Sequence, residues 1–187
     1  MSAAIRIFVP IDAAALSVGA EAVAQAIARE AQARGTAVEI IRNGSRGMLW
    51  LEPMIEVETA QGRIAYGPVA VRDIAALFEA GFQTGSAPKL RLGPVGELDR
   101  LKRQQRLTFE RVGVTDPLSL ADYRAHDGLK GLEKALSLTG GEIVEEVRES
   151  GLRGRGGAGF PTGIKWKTVH DARAEQKYIV CNADEGD

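Results

Sequence analysis

Between Gly151 and Gly163 the chain carries six glycines, in the run Gly151-Leu152-Arg153-Gly154-Arg155-Gly156-Gly157-Ala158-Gly159-Phe160-Pro161-Thr162-Gly163. Glycines this dense let the backbone take positive φ and approach another molecule with no Cβ in the way. Successive N–H groups exposed in such a loop make a concavity that binds anions. Thr162 is placed to cap a helix beginning near Gly163, and a helix N-terminus adds a dipole favourable to phosphate. Arg155 supplies forked positive charge and Lys165 a compact one, while Phe160 offers a face on which a ring can stack. Gly154, Arg155, Gly156, Gly157, Ala158, Gly159, Phe160 and Lys165 therefore read as a site for the phosphate and ring of a nucleotide or flavin.

The loop differs from the two common nucleotide signatures. It follows an expected helix rather than a strand, so the dinucleotide fingerprint does not apply. Its lysine precedes Trp166 rather than Ser or Thr, and the glycine spacing is wrong for an NTPase phosphate loop. Arg-Gly-Arg-Gly-Gly is also the composition of an RGG-type nucleic-acid segment, but it occurs once and ordered-looking segments flank it. Downstream, Lys177-Tyr178-Ile179-Val180-Cys181 has a strand pattern that runs into Asn182-Ala183-Asp184-Glu185-Gly186-Asp187. An amide and carboxylates at a strand's C-terminal end suit hydrogen bonding to ribose, ribityl or ring N–H groups, though the same residues could form a plain polar turn. Asp184 and Glu185 are adjacent rather than set across a cleft, which does not favour acid–base hydrolysis. His126 and His170 have no neighbour pattern of a triad or a metal site and read as surface residues. No catalytic side chain and no metal ligand is expected.

The elements that must position this loop begin with Ile5–Val9, a β-rich run closed by Pro10. An amphipathic helix follows over Gly19–Ala33, with Val23, Ile27 and Ala31 on one face and Gly35 as its stop. Thr36–Ile41 is a second strand, so the unit is strand–helix–strand. Met54–Thr59 and Arg63–Tyr66 form a hairpin through Gln61-Gly62, and Val71–Gly81 is a closing helix. The order βαβ-ββα is that of a thioredoxin-like α/β domain. Residues 86–96 have the Gly, Pro and Ser content of a linker. Four helices are then expected: a basic one over Glu97–Val112 with Leu98, Leu101 and Phe109 inward, then Leu118–Ala125, Gly128–Leu138 and Glu142–Glu149. The domains expected are thus residues 1–85, a linker at 86–96, and residues 97–187 as the start of an α/β flavin-binding domain preceded by a helical segment.

Charge excludes some functions. Twenty-four Lys and Arg against 25 Asp and Glu leave a formal −1, so no global field recruits nucleic acid or anionic lipid. Lys102, Arg103 and Arg106 have no interleaved aromatic residues and read as a solvated helix face. The single Cys181 rules out a disulfide framework or thiolate-held cluster within these residues. No apolar run approaches the ~20 residues that span a bilayer, and the N-terminus lacks a secretion signal, which together suggest a cytoplasmic location.

Gly151–Trp166 followed by Cys181-Asn182-Ala183-Asp184-Glu185-Gly186 resembles the flavin- and NADH-binding subunit of respiratory complex I and its relatives. These include the diaphorase subunits of NAD-reducing hydrogenases and NAD-dependent formate dehydrogenases. The resemblance implies that Arg155, Gly156, Lys165, Asn182, Asp184 and Glu185 line an FMN site and that Phe160 and Lys165 meet the NADH. Thr168 stands where the family often has an aromatic residue, removing one stacking surface, and Asp187 stands where many complex I subunits carry Glu. The Gly-Asp pair looks closer to the formate dehydrogenase branch. Arg42–Leu49 with Glu52-Pro53 resembles the second ligand loop of the thioredoxin-like [2Fe–2S] subunit of the same complexes. Its cysteine positions fall on Ser45 and Leu49, and the first pair maps to Pro10 and Ala15, none of which can bind iron. The resemblance thus implies a cluster-free copy of that fold, fused ahead of the flavin subunit.

The same resemblance implies a subunit that passes hydride between NAD(H) and FMN and electrons to or from iron–sulfur clusters. A molybdenum-containing formate dehydrogenase alpha subunit and a [2Fe–2S] thioredoxin-like gamma subunit are the partners implied. Family members are longer, so these residues are expected to be an N-terminal portion, inactive alone, with a [4Fe–4S] cluster further along the polypeptide. A competing expectation is a non-catalytic thioredoxin-fold docking module whose glycine loop only packs against a partner.

Overall fold

The computed structural model describes residues 4–181. The described residues fall into two compact units that divide between Asp127 and Gly128.

In the first unit the expected strand–helix–strand appears as β1 (Ile5–Pro10), a short α1 (Ala13–Ser17), α2 (Ala20–Ala33) and β2 (Val38–Asn43). The hairpin follows as β3 (Ile55–Thr59) and β4 (Gly62–Tyr66), then α3 (Ile74–Glu79) and β5 (Arg91–Pro94). One five-stranded sheet results, in the order β2-β1-β3-β4-β5, with β1 and β2 parallel and the remaining pairs antiparallel. A βαβ-ββα chain with its second strand outside the first and its hairpin on the other side is the thioredoxin-like arrangement. Thr59 pairs with Gly62, so the turn is Ala60-Gln61, one residue earlier than the sequence suggests.

Register separates the two faces of the sheet. Ile7, Val57 and Ile64 lie in one cross-strand row and are buried with Val23, Ile27 and Ala31 of α2 and Leu77 and Phe78 of α3. This is the stripe that the four-residue spacing of α2 predicts. The next row, Phe8, Glu56 and Ala65, faces the other way. There Ala65 joins a smaller core of Met48, Met54, Val95 and Leu101.

Glu56 is 1% exposed and accepts hydrogen bonds from Arg46 and from Arg63 Nη1 at 3.3 Å. The Arg63 guanidinium also lies 3.4 Å from the centroid of the Phe8 ring. Burial draws its pKa down, against the opposing pull of Glu56.

The stretch 86–96, expected as a linker, instead supplies the edge strand β5, which pairs with β4. An edge suits it because Pro94 cannot donate to a ladder, and Gly93 takes φ +106°. Thioredoxin-like packing therefore continues past residue 85, and the compact unit closes at 127 rather than in that stretch. The expected helix over Glu97–Val112 is reduced to α4 (Asp99–Lys102), and Phe109 is exposed rather than inward. Leu101 is buried as expected. Beyond it, hydrogen bonds to the sheet override helical periodicity: the Gly113 carbonyl accepts from Asn43 Nδ2 at 2.9 Å and Arg63 Nη1 at 3.1 Å. Gly113 takes φ +77° there, with no room for a Cβ beside Arg46. The unit ends with α5 (Leu120–Ala125), capped by the Ser119 hydroxyl.

The second unit contains α6 (Lys130–Leu136), α7 (Gly140–Glu149) and α8 (Thr162–Asp171). Lys177–Cys181, expected as a strand, has no regular structure, and Ile179 and Val180 are 97% and 92% exposed. A strand needs a neighbouring ladder, and among the described residues this unit provides none. No helix of the described residues is long and apolar enough to cross a membrane.

Candidate functional site

Thr139 starts α7 with a capping box: its Oγ1 accepts from the Glu142 amide at 3.3 Å, and Glu142 Oε2 accepts from the Thr139 amide at 2.7 Å. The bonds that its carboxylate accepts from the Thr139 amide and hydroxyl hold the Glu142 carboxyl below its usual range. The two helices run antiparallel and touch at both ends. A Cβ on Gly163 would lie 2.6 Å from Arg148 Cα, and one on Gly140 would lie 3.3 Å from the His170 ring. Gly163 thus serves helix packing and is buried, unlike the other glycines of the run.

The glycine loop joins these helices as a pinched hairpin. The Thr162 amide donates to Leu152 O at 2.9 Å, Arg153 bridges Pro161, and the Gly154 amide donates to Phe160 O at 2.9 Å. A tight turn follows, the Gly159 amide donating to Gly156 O at 3.1 Å with Gly159 at φ +53°. Side chains tie the same loop: Arg153 Nε donates to Gly159 O at 2.7 Å and Arg155 Nη1 to Arg153 O at 3.3 Å. Among the described residues, the amides of Arg155, Gly156, Gly157 and Ala158 donate to no protein acceptor, and all four residues are exposed. A Cβ on Gly156 or Gly157 would meet nothing within 4 Å, so the space above them is open.

Lys165, in the first turns of α8, places Nζ 5.7 Å from the centroid of the Phe160 ring. The structure therefore brings Gly154 to Phe160 and Lys165 together on one loop and helix end. Thr162 does not cap α8 as expected. It is the first helical residue, its amide is given to Leu152, and α8 begins with no side-chain cap. Asn182, Asp184 and Glu185 lie outside the described residues. Beside Lys165, an apolar groove of about 500 Å³ runs between α7 and α8, lined by Ile143, Val144, Trp166, Val169, Tyr178 and Ile179 among others. Sequence reading missed two features: the Arg153 tie and this groove. Arginine at the mouth of a glycine run signals the first, and Ile143, Val144, Trp166 and Val169 at helical spacing signal the second.

The ligand loop of an iron–sulfur cluster is the other site the sequence raises, and the residues present do not fit one. Ser45 Oγ donates to Glu52 Oε1 at 2.6 Å, its amide donates to Asp12 Oδ2 at 2.8 Å, and Asp12 Oδ1 caps α1. A polar clip thus ties the two loops together where the resemblance places thiolates. Burial, with Asp12 and Glu56 nearby, pushes the Glu52 carboxyl above its usual range against the bonds from Ser45 and Met54. Among the described residues no group of three His, Cys, Asp or Glu could hold a metal ion. His126 and His170 are partly exposed, each beside one aspartate.

Residues 147–187 match the Nuo51 FMN-binding domain family. The chain is 56% identical over 86 residues to the NADP-reducing hydrogenase subunit HndC of Solidesulfovibrio fructosivorans, a match covering 46% of this chain and 18% of that protein. It is 48% identical over 81 residues to the F subunit of the NADH-quinone oxidoreductase of Escherichia coli, covering 42% and 18%. With the NAD-reducing hydrogenase HoxS subunit alpha of Cupriavidus necator it shares 48% identity over 66 residues, covering 35% and 11%. The chain spans less than a fifth of the length of these curated relatives. Among solved structures, the thioredoxin-like [2Fe-2S] ferredoxin from Aquifex aeolicus aligns with 49% of this chain and 99% of its own, at 20% identity and a TM-score of 0.41.

Proposed function

With residues 147–187 related to the FMN-binding subunit of complex I, we propose that the loop between α7 and α8 holds the phosphate of FMN in an NAD-linked oxidoreductase. One observation carries this reading: four consecutive unpaired amides, Arg155 to Ala158, stand exposed between the Gly154 and Gly159 amides, which are bonded within the loop. Such amides select an anion, and the uncapped start of α8 adds its dipole. Arg155 and Lys165 supply the countercharge. Gly154, Gly156, Gly157 and Gly159 keep the approach clear, and Phe160 offers a ring face to the nicotinamide nucleotide. Asn182, Asp184 and Glu185 complete the site at the isoalloxazine and ribityl groups.

Bound FMN would supply two-electron exchange with NAD(H) and one-electron exchange with iron–sulfur carriers. The chain's own part is to bind and orient. With that exchange supplied by the cofactor pair, this reading would ask no side chain here to act as general acid or base.

The branch we favour is NAD-dependent formate dehydrogenase, working in the cytoplasm with a molybdenum-containing alpha subunit and a [2Fe–2S] thioredoxin-like gamma subunit. Support comes from a thioredoxin-like unit with Ser45, Leu49, Pro10 and Ala15 at the ligand positions, fused ahead of the glycine loop, and from Asp187. Formate-dependent NAD reduction by the purified complex tests the branch; hydrogen-dependent reduction without formate activity would reassign it to the hydrogenases.

The visible spectrum of the purified full-length protein tests the site. Bound FMN absorbs near ~450 nm, a property of the cofactor that the protein only tunes. A colourless protein that takes up neither FMN nor NADH would leave the docking-module reading in its place.

A further inference from the structure

A segment with glycine at four of its six positions from 154 to 159 has a large conformational entropy to lose, and the Gly154–Phe160 bond with one turn bond orders it poorly. Arg153 is where the missing order comes from. Its backbone bridges Pro161, its Nε donates to Gly159 O at 2.7 Å, and its carbonyl accepts from Arg155 Nη1 at 3.3 Å. The side chain crosses the mouth of the loop and satisfies a carbonyl beyond the turn, so the unpaired amides from Arg155 to Ala158 are enclosed between two fixed points. It also sets Arg155, whose guanidinium would otherwise be free to swing.

We propose that Arg153 is a positioning residue of this site: the hydrogen bond from its Nε to the Gly159 carbonyl preorganises the loop for an anion, and its charge does not contact the ligand. The inference rests on the flavin reading above and adds how that site is held. Preorganisation raises affinity by removing ordering that binding would otherwise have to supply.

Glutamine separates the two ways arginine could act. Its amide nitrogen stands the same number of bonds from the backbone as arginine Nε, and it donates without charge. FMN is titrated into the flavin-free full-length protein and followed by quenching of flavin fluorescence. Arg153→Leu is expected to weaken binding about tenfold or more, and Arg153→Gln to stay within about threefold of the parent. Amide hydrogen exchange at Gly154 and Gly159, read without flavin, is expected to quicken in the Leu variant and not in the Gln variant.

Equal loss in both variants would show that charge is what matters and overturn the proposal. So would parent-like binding by both. If the parent binds FMN and Lys165→Glu weakens it while both Arg153 variants bind normally, the positioning role falls and the flavin site stands. A parent protein that takes up no FMN removes both.

Discussion

Gly163 on α8 and Arg148 on α7 are packed so closely that a Cβ on the glycine would lie 2.6 Å from Arg148 Cα and 2.9 Å from its nitrogen. Both neighbours are backbone, which cannot turn aside. Gly163→Ala should therefore force the helices apart and destabilise the protein by about 1–3 kcal/mol, the range for overpacking. Gly140→Ala should cost less, because the atoms 3.3 Å away belong to the His170 ring, which can move. Thermal unfolding of the two variants checks the order; equal melting temperatures would contradict the packing.

Lys165 and Phe160 sit together at the start of α8, with Nζ 5.7 Å from the ring centroid. Lys165→Glu puts a carboxylate where the proposed site needs a cation, so FMN or NADH binding should weaken by about tenfold or more, as for loss of a charge-assisted bond. Lys165→Arg should retain most of it. Flavin occupancy and KM for NADH in the full-length protein are the measurements, and unchanged values in the Glu variant would count against the site.

Glu56 is enclosed by Arg46, itself only 8% exposed, and Arg63. Glu56→Gln leaves two guanidiniums in a largely buried space without their countercharge. Such losses run to about 3–5 kcal/mol in other proteins. Urea unfolding should show a midpoint shift of that order, with Arg63→Lys milder because its charge remains.

Glu52 titrates in the opposite sense from a salt-bridged carboxylate. Burial holds its carboxyl above the ordinary 4.5. Over the interval from that value up to the raised one, the folded state binds more protons than the unfolded state, so rising pH removes stability. Glu52→Gln carries no such penalty. The stability of the parent relative to this variant should fall as pH rises across that window, with a slope of at most about 1.4 kcal/mol per pH unit. Unfolding free energies of both proteins measured from pH 4 to 8 check it, and a constant difference would sink the idea.

Local chemistry makes much of this chain legible from its sequence. The period of α2 predicts its buried stripe, β-branched runs predict four of the five strands, and turn residues predict the hairpin to within one position. Gly151–Gly163 announces a tight loop, because glycine supplies the backbone freedom that its turn uses at Gly159. These are short-range rules, obeyed wherever neighbours in sequence decide conformation.

Other features answer to partners far along the chain. β5 carries a linker's composition and becomes a strand because β4 offers it an unpaired edge. The basic stretch after Lys102 has helical spacing, yet Asn43 and Arg63 hold Gly113 from about fifty to seventy residues away, and helix gives way to those bonds. Lys177–Cys181 shows the converse, a strand pattern without a described strand to pair with. Which glycine faces open space and which serves packing is likewise invisible in a run of identical residues. Gly156 and Gly163 look alike in sequence, and only the approach of Arg148 makes the second a contact between helices while the first stays open.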